Sequence, residues 1–589
     1  MKRLLLSLLL LAGCSTAPPA PVPPAQPVRV TLVGTTDIHG WFNGRVEVPR
    51  GGGDPVPYGG LPLFATYVNA LRAETGGNVI VVDSGDMYQG TLESNMFEGE
   101  PVVRAFNAIG YAGAALGNHE FDFGPAGPDA IADEPGEDPL GALRKNAKMA
   151  RFPFLSANLI DRATGRTPDW AKRSVMVNVA GAKVGVIGLS LRDTPNVTME
   201  SHVRGLEFTD PAAATVSEAA ALRAAGADAI VVTAHIGGRC RDMRDVHDLA
   251  SCEEEQEVMR FLRAIPAGTI DVYFGGHTHS QMRQIINGVV VLQALPFSQE
   301  FSSVDIFVDT QANRVVGERT NIRPHTMICR AVYSGTERCD ARSAPAGATL
   351  VPRMLNGKAV APDAAVSAIV APYLQRVAEK RNQKLGITTT AIFTRIYSRE
   401  SALGNFLTDA LRDWADADIA FINSGGIRAA LRAGELVYGD IFEVSPFDNY
   451  PTIVMMSGAQ ITEALRSTSG GERGILQTSG LRYVIDEARD MDKPADERNR
   501  LVSVTLENGQ PLDPEKLYKV VMPDFLAAGG DAMASALSTV PPDRIRTNPD
   551  RPMRDVIIEA LQKRGPGPYA PKVEKRITIL NPRPNVRLD

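Results

Sequence analysis

The sequence predicts an α/β protein built of two folded domains. Three observations carry this prediction. Short β-branched runs alternate with helix-like stretches through the first half of the chain. At 589 residues the chain exceeds what one hydrophobic core supports. An amphipathic segment near residue 370 separates a half that carries all eight histidines from one that carries none. The composition, 44% hydrophobic and 22% charged, is that of an ordinary folded chain. A net charge of -6 argues against binding nucleic-acid polymers, which takes a basic face.

Residues 1–13 read as an export signal. Lys2 and Arg3 precede the apolar run Leu4 to Leu11, and Ala12-Gly13 stand before Cys14. The run is too short to span a bilayer. Leu11-Ala12-Gly13-Cys14 resembles the bacterial lipobox, so Cys14 is the expected lipidation site and mature N-terminus. Removing Lys2 and Arg3 takes the formal charge from -6 to -8. Residues 14–27, rich in Pro and Ala, are expected to form a semi-rigid tether. Ser15 after the cysteine resembles the outer-membrane sorting default. The protein is therefore expected to be exported, held to the outer membrane through lipid alone, and to face the periplasm or the cell surface. The remaining cysteines, Cys240, Cys252, Cys329 and Cys339, are even in number, as disulfides in an oxidising compartment require. The simplest of the three pairings is local, Cys240 with Cys252 and Cys329 with Cys339; free buried thiols are the other reading.

From residue 28 onward, apolar runs end at once in metal-ligand residue types. Val28 to Val33 leads into Asp37 and His39, and Val79 to Val82 into Asp83 and Asp86. Ala112 to Leu116 leads into Gly117-Asn118-His119-Glu120 and Asp122. Ala229 to Val232 leads into His235, and Ile270 to Phe274 into His277 and His279. Runs of this length bounded by Gly and polar clusters read as buried strands; Leu61–Ala73 and Pro211–Ala225 read as helices between them. In open α/β sheets ligands bind beyond the carboxyl ends of strands, so these five ends are expected to converge.

The residue types point to a chemistry. Carboxylate, imidazole and amide oxygen without thiolate suit divalent ions such as zinc or manganese, with cobalt, magnesium or calcium as further candidates. One zinc takes about three protein ligands. Asp37, His39, Asp86, Asn118, His235, His277 and His279 make seven, enough for two ions, and His119 is left over beside them. Two ions about 3.5–4 Å apart activate water and clamp both ends of an in-line displacement at phosphorus.

The series D-x-H, G-D, G-N-H-E, H and G-H-x-H is similar to that of calcineurin-like metallophosphoesterases. Together with the second half, residues 28–580 resemble the bacterial 5′-nucleotidase/UDP-sugar hydrolase family. The resemblance implies a four-layer αββα sandwich over residues 28–342, a linker with a connecting helix over 343–385, and a smaller α+β substrate-binding domain over 386–589. It implies that Asp37, His39 and His279 hold one metal, that Asn118, His235 and His277 hold the other, and that Asp86 bridges them. It further implies that His119 stabilises the transferring phosphoryl or leaving oxygen, that Asp122 orients His119, and that the second domain swings to carry substrate.

Residues 362–385 carry Val366, Ile369, Val370, Tyr373, Leu374 and Val377 at three- and four-residue spacing, which predicts the connecting helix. Beyond it, Asn423-Ser-Gly-Gly-Ile-Arg428 follows the apolar run Ile419–Ile422. Phe447 and Phe525 stand in polar, Gly-containing loops. Two aromatic faces sandwich a nucleobase at about 1–3 kcal/mol per base. By match to the family, Asn423, Arg428, Phe447, Asn449, Gly480, Phe525 and Asp531 form the expected binding set, with Arg399 added. One departure stands out: where family members carry an arginine three residues before the acidic position, this chain has Tyr397, with arginines at 395 and 399. The expected activity is two-metal hydrolysis of nucleotide phosphate esters, with UDP-sugars or nucleoside polyphosphates as further substrates. The alternative is a two-metal hydrolase of 2′,3′-cyclic nucleotides or of a thiosulfate ester on a carrier protein.

Overall fold

The computed structural model describes residues 26–47, 56–127, 131–132, 136–345, 347, 349–469, 474–493 and 497–582. The expected export signal, the Cys14 lipidation site and the tether up to residue 25 lie outside the described residues. Among the described residues no helix is long and apolar enough to cross a membrane.

Two sheets face each other in the N-terminal half. The first runs, in hydrogen-bonded order, Arg314–Val315, Glu300–Asp309, Val28–Thr35, Val79–Asp83, Gly113–Ala115 and Phe154–Leu155. The second runs Met282–Ile286, Val289–Gln293, Val272–Phe274, Ala229–Ala234, Ala182–Leu189 and Ser174–Val179. Successive strand residues point to opposite faces, and here both faces are covered. Val30, Leu32, Ile80 and Val82 meet Val184, Val186, Val231 and Phe274 in a core between the sheets. Val33 and Val81, one residue out of phase, pack instead with Phe64, Val68, Val102 and Phe106 from the helices Leu61–Thr75 and Glu100–Ile109. On the other side Ile187, Ile230 and Val232 pack with Leu222, Val258 and Phe261 from the helices Pro211–Ala224 and Glu257–Ala264. The result is the four-layer helix–sheet–sheet–helix arrangement, and double coverage explains why these strands read as continuous apolar runs.

The connecting helix spans Ala364–Arg381, with the Asp363 carboxylate capping the backbone amides of Ala365 and Val366 at 3.0 Å each. Its first turns belong to the N-terminal core through Val366 and Val370, and its last to the C-terminal core through Val377. Tyr373 donates to Glu100 at 2.6 Å, and Arg381 bridges Glu93 and Glu443 at 2.5 and 2.6 Å. One helix is thus fastened to both halves.

The C-terminal half centres on a five-stranded sheet, ordered Leu476–Ser479, Ile419–Asn423, Leu517–Pro523, Pro451–Ser457 and Ile545–Thr547. Ala420, Ile422 and Val521 face the helices Ala402–Ala415 and Met553–Arg564, while Ile419, Phe421, Val520 and Met522 face Gly458–Ser469. Ile419–Asn423 runs parallel to Leu517–Pro523, and Pro451 pairs with Pro523 on the antiparallel neighbour. The loops that carry Arg428, Phe447 and Phe525 therefore open at one end of the sheet. Both local disulfides, Cys240–Cys252 and Cys329–Cys339, are formed.

Leu32 is 1% exposed between the two sheets. Leu32→Ala is expected to cost about 2–5 kcal/mol, read as a lower urea midpoint for unfolding of the N-terminal half, with the folded protein's circular dichroism unchanged.

Candidate active site

Every sequence-predicted metal ligand lies just beyond the carboxyl end of a strand. Asp37 and His39 follow Val28–Thr35, Asp86 follows Val79–Asp83, Asn118 follows Gly113–Ala115, His235 follows Ala229–Ala234, and His277 and His279 follow Val272–Phe274. Turning from strand to site within one to five residues demands unusual backbone. Asp37, His39, Asp86, His277 and His279 all hold positive φ, between 49° and 75°. Left-handed backbone at non-glycine residues costs energy and persists only where surrounding structure imposes it.

The side chains form two groups that share one carboxylate. In the first, single ligand atoms of Asp37, His39, Asp86 and His279 lie within 4.8 Å of one another; in the second, those of Asp86, His235 and His277 do. His39 Nε2 is 3.6 Å and His235 Nε2 3.0 Å from Asp86 Oδ2, His279 Nε2 is 3.3 Å from Asp37 Oδ1, and Asn118 Oδ1 is 3.2 Å from His235 Nε2. Ligand atoms at about 2.0–2.2 Å from a tetrahedral cation are themselves about 3.3–3.6 Å apart, so the donor set fits a divalent cation in each group. With no thiolate present, the chemistry is that of a binuclear divalent metal site.

Buried hydrogen bonds fix which atoms face inward. Gln89 and Ser84 present carbonyl oxygens to the Nδ1 atoms of His39 and His235, both at 2.8 Å, leaving Nε2 for the centre. Asn118 Nδ2 donates to Val197 O at 3.1 Å, which turns its oxygen toward His235. Glu120, which the sequence reading quoted in a motif but gave no role, accepts from the amides of Asp86, Met87 and Gly117 at 2.8, 2.7 and 2.6 Å. Burial, then the neighbouring Asp86, pushes its carboxyl up to about 7. Gly117 meets Asp86 so closely that a Cβ there would lie 2.1 Å from Asp86 Oδ1.

His119 stands beside these groups. Its Nε2 is 4.0 Å from Asp86 Oδ2, and its Nδ1 is 2.5 Å from Asp122, whose other oxygen accepts from Thr198 at 2.9 Å. Burial opposes a charged ring, but Asp122 and Asp86 outweigh it and hold the His119 pKa above its ordinary value. In the absence of cations Asp86 likewise outweighs burial at His235, raising it to about 10, whereas burial and His235 lower His277 to about 3.

The C-terminal half closes over this centre. Arg428 Nη2 approaches His39 Nε2 to 3.1 Å, and the Phe447 ring stacks on His119 with centroids 5.4 Å apart. Between the halves runs a cleft of about 1460 Å³, lined by Asp86, Asn118, His119, Asp122, His277 and His279 on one side. Asn423, Arg428, Phe447, Asn449, Phe525 and Asp531 line the other, with Asn423 donating to Asp531 at 2.6 Å. Two expected members stand elsewhere. Gly480 (φ 89°) occupies the turn after Leu476–Ser479 against the Asp418 carbonyl, and its motif position reflects that tight turn. Arg399 pairs with Glu487 at 2.7 Å, while Tyr397 lines the cleft. Arg554, absent from the expected set, anchors the aromatic loop by donating to Phe447 O at 3.0 Å and pairing with Asp448.

Comparison with known proteins agrees with this division. Residues 30–281 match the family model described as calcineurin-like phosphoesterase, and residues 384–539 match that of the 5′-nucleotidase C-terminal domain. The chain is 26% identical to a 5′-nucleotidase of Vibrio cholerae, across 88% of each protein. It is also 26% identical to a cell wall protein of Listeria monocytogenes over 88% of this chain, and there it spans 66% of the relative's length. The solved structure of a 5′-nucleotidase precursor from Thermus thermophilus superposes with a TM-score of 0.72 at 25% identity, covering 94% of this chain and all of that one.

The contact at Gly117 yields a test. Gly117→Ala forces Asp86 out of the shared position, so metal content measured by inductively coupled plasma mass spectrometry is expected to fall from two equivalents to one or fewer.

Proposed function

Because the chain belongs to the 5′-nucleotidase family, joining a calcineurin-like phosphoesterase domain to a 5′-nucleotidase C-terminal domain, we propose that it hydrolyses phosphate esters of nucleotides outside the cytoplasm. One observation carries the reading: a carboxylate shared by two ligand groups, a protonatable histidine and an arginine from the opposite half all meet in one cleft that two phenylalanines also line. The division into residues 28–342, 343–385 and 386–589 follows the same reading.

Asp37, His39 and His279 would hold one cation, Asn118, His235 and His277 the other, and Asp86 would be shared by both. Mixed nitrogen and oxygen donors favour zinc or manganese. When bound, the pair supplies Lewis acidity, drawing charge from the phosphoryl oxygens and making a water acidic enough to attack phosphorus. The protein's own groups do the rest. Asp122 holds Nδ1 of His119, so that Nε2 points its proton at the transferring phosphoryl or the departing oxygen. Arg428 offers a guanidinium to the phosphate. Phe447 and Phe525 receive the base, and Asn423 and Asp531 hold the sugar side. Nucleoside polyphosphates and sugar nucleotides fit the cleft's volume as further substrates. A place outside the cytoplasm agrees with the cell wall relative, and anchoring through Cys14 to the outer membrane, facing the periplasm or the surface, belongs to the same proposal.

Phosphate release from a panel of nucleotides, with and without chelator, tests the proposal. Release that chelator abolishes and metal restores is expected; no chelator-sensitive release from any nucleotide would refute it. His119→Asn is expected to lower kcat by about 10²–10⁴-fold while metal content stays at two. Phe447→Ala is expected to raise KM for a nucleotide by about 5- to 150-fold, and to leave KM for a phosphate ester without a base within about twofold of wild type.

A further inference from the structure

Asp524 is a buried carboxylate in the cleft that the chemistry above does not use. It follows the strand Leu517–Pro523 directly and is 7% exposed. Its Oδ1 accepts from Asn449 Nδ2 at 2.9 Å and from the Phe525 amide at 2.8 Å. Among the described residues no side-chain donor reaches Asp524 Oδ2 or Asn449 Oδ1, the Tyr450 backbone also bonds the Asp524 carboxyl, and both side chains line the cleft with Phe447 and Phe525. The Phe525 ring packs against Gly530, where a Cβ would come within 2.4 Å of it.

An amide next to an ionised carboxylate has one stable orientation, with N–H toward the acceptor. Asn449 therefore turns its oxygen away from Asp524. The pair offers two acceptors, Asp524 Oδ2 and Asn449 Oδ1, beside the second N–H of the Asn449 amide. Burial pushes the Asp524 carboxyl up to about 6, with the bonds from Asn449 and the backbone opposing that rise. The group is thus ionised at neutral pH and accepts charge-assisted hydrogen bonds.

We propose that Asp524 and Asn449 form an acceptor pair that selects a base with a hydrogen-bond donor edge, guanine ahead of adenine; this rests on the reading that a nucleotide occupies the cleft. Guanine carries two adjacent donors, N1–H and the N2 amino group, which match two acceptor oxygens. Hypoxanthine keeps N1–H alone. Adenine sets the bare lone pair of its N1 against the carboxylate, which leaves acceptor facing acceptor in a desolvated place. A mismatch of that kind costs a buried polar group its partner, an effect of about tenfold or more in affinity.

Nucleosides isolate the base site, because they carry no phosphate to reach the metals. Calorimetry on the full chain with guanosine, inosine and adenosine is expected to give dissociation constants rising in that order, with guanosine about tenfold or more below adenosine. Asp524→Asn keeps the shape and still accepts from Phe525 and Asn449, but shows N–H where Oδ2 stood. It is expected to bring the guanosine-to-adenosine ratio to about one or invert it, at an unchanged melting temperature. The same order is expected in kcat/KM for GMP, IMP and AMP. Wild-type protein that binds adenosine as tightly as guanosine, or a variant that keeps the wild-type ratio, overturns the acceptor pair while nucleotide hydrolysis stands. Absence of both nucleoside binding and phosphate release overturns the nucleotide reading and the acceptor pair together. The wild-type ratio decides the matter even where the variant fails to fold.

Discussion

The site depends on one carboxylate held where two groups of ligands need it. Asp86 faces His39 on one side and His235 on the other, and its own backbone stands at φ 56°. That conformation is uncommon for a non-glycine residue, though aspartate tolerates it better than most. Glu120 imposes it by accepting from the amides of Asp86 and Met87 while also holding Gly117, whose missing side chain lets the carboxylate approach. A carboxylate from one loop thereby organises the carboxylate of another. Asp86 raises the pKa of His235 and His119, whereas burial lowers that of His39 and His277. Cations and protons compete for the same lone pairs.

The architecture supplies the convergence. Two sheets packed face to face bring the carboxyl ends of strands from both to one edge, so loops separated by up to 240 residues reach within hydrogen-bond distance, as His39 and His279 do. The connecting helix, rooted in both cores, sets the second sheet's open end opposite that edge. Arg428 and Phe447 arrive at His39 and His119 by this route. The candidate metal ligands and the residues proposed for recognition come from separate halves, joined at a cleft that each half lines on one side.

The strands, the three helices and the placing of the seven candidate ligands at strand ends were legible because each signal is local. Doubly covered strands are apolar throughout, and polar ligand types end them abruptly. The local disulfides were legible from spacing and parity. What escaped lies in non-local relations. Gly480 carries a motif position, yet its glycine serves a turn against Asp418. Arg399 joins the expected binding set, and its pairing with Glu487, 88 residues away, leaves no local signal. Glu120 and Arg554 act on backbone, a partner that no spacing rule exposes. Asp524 received no role because its bond to Asn449, 75 residues earlier, leaves no local signal.

Anomalous diffraction from crystals equilibrated with manganese addresses the central claim most directly. The account predicts two peaks about 3.5–4 Å apart on either side of the Asp86 carboxylate, one beside Asp37 and His279 and the other beside Asn118 and His277. A single peak, or a pair that leaves Asp86 uncoordinated, would contradict it.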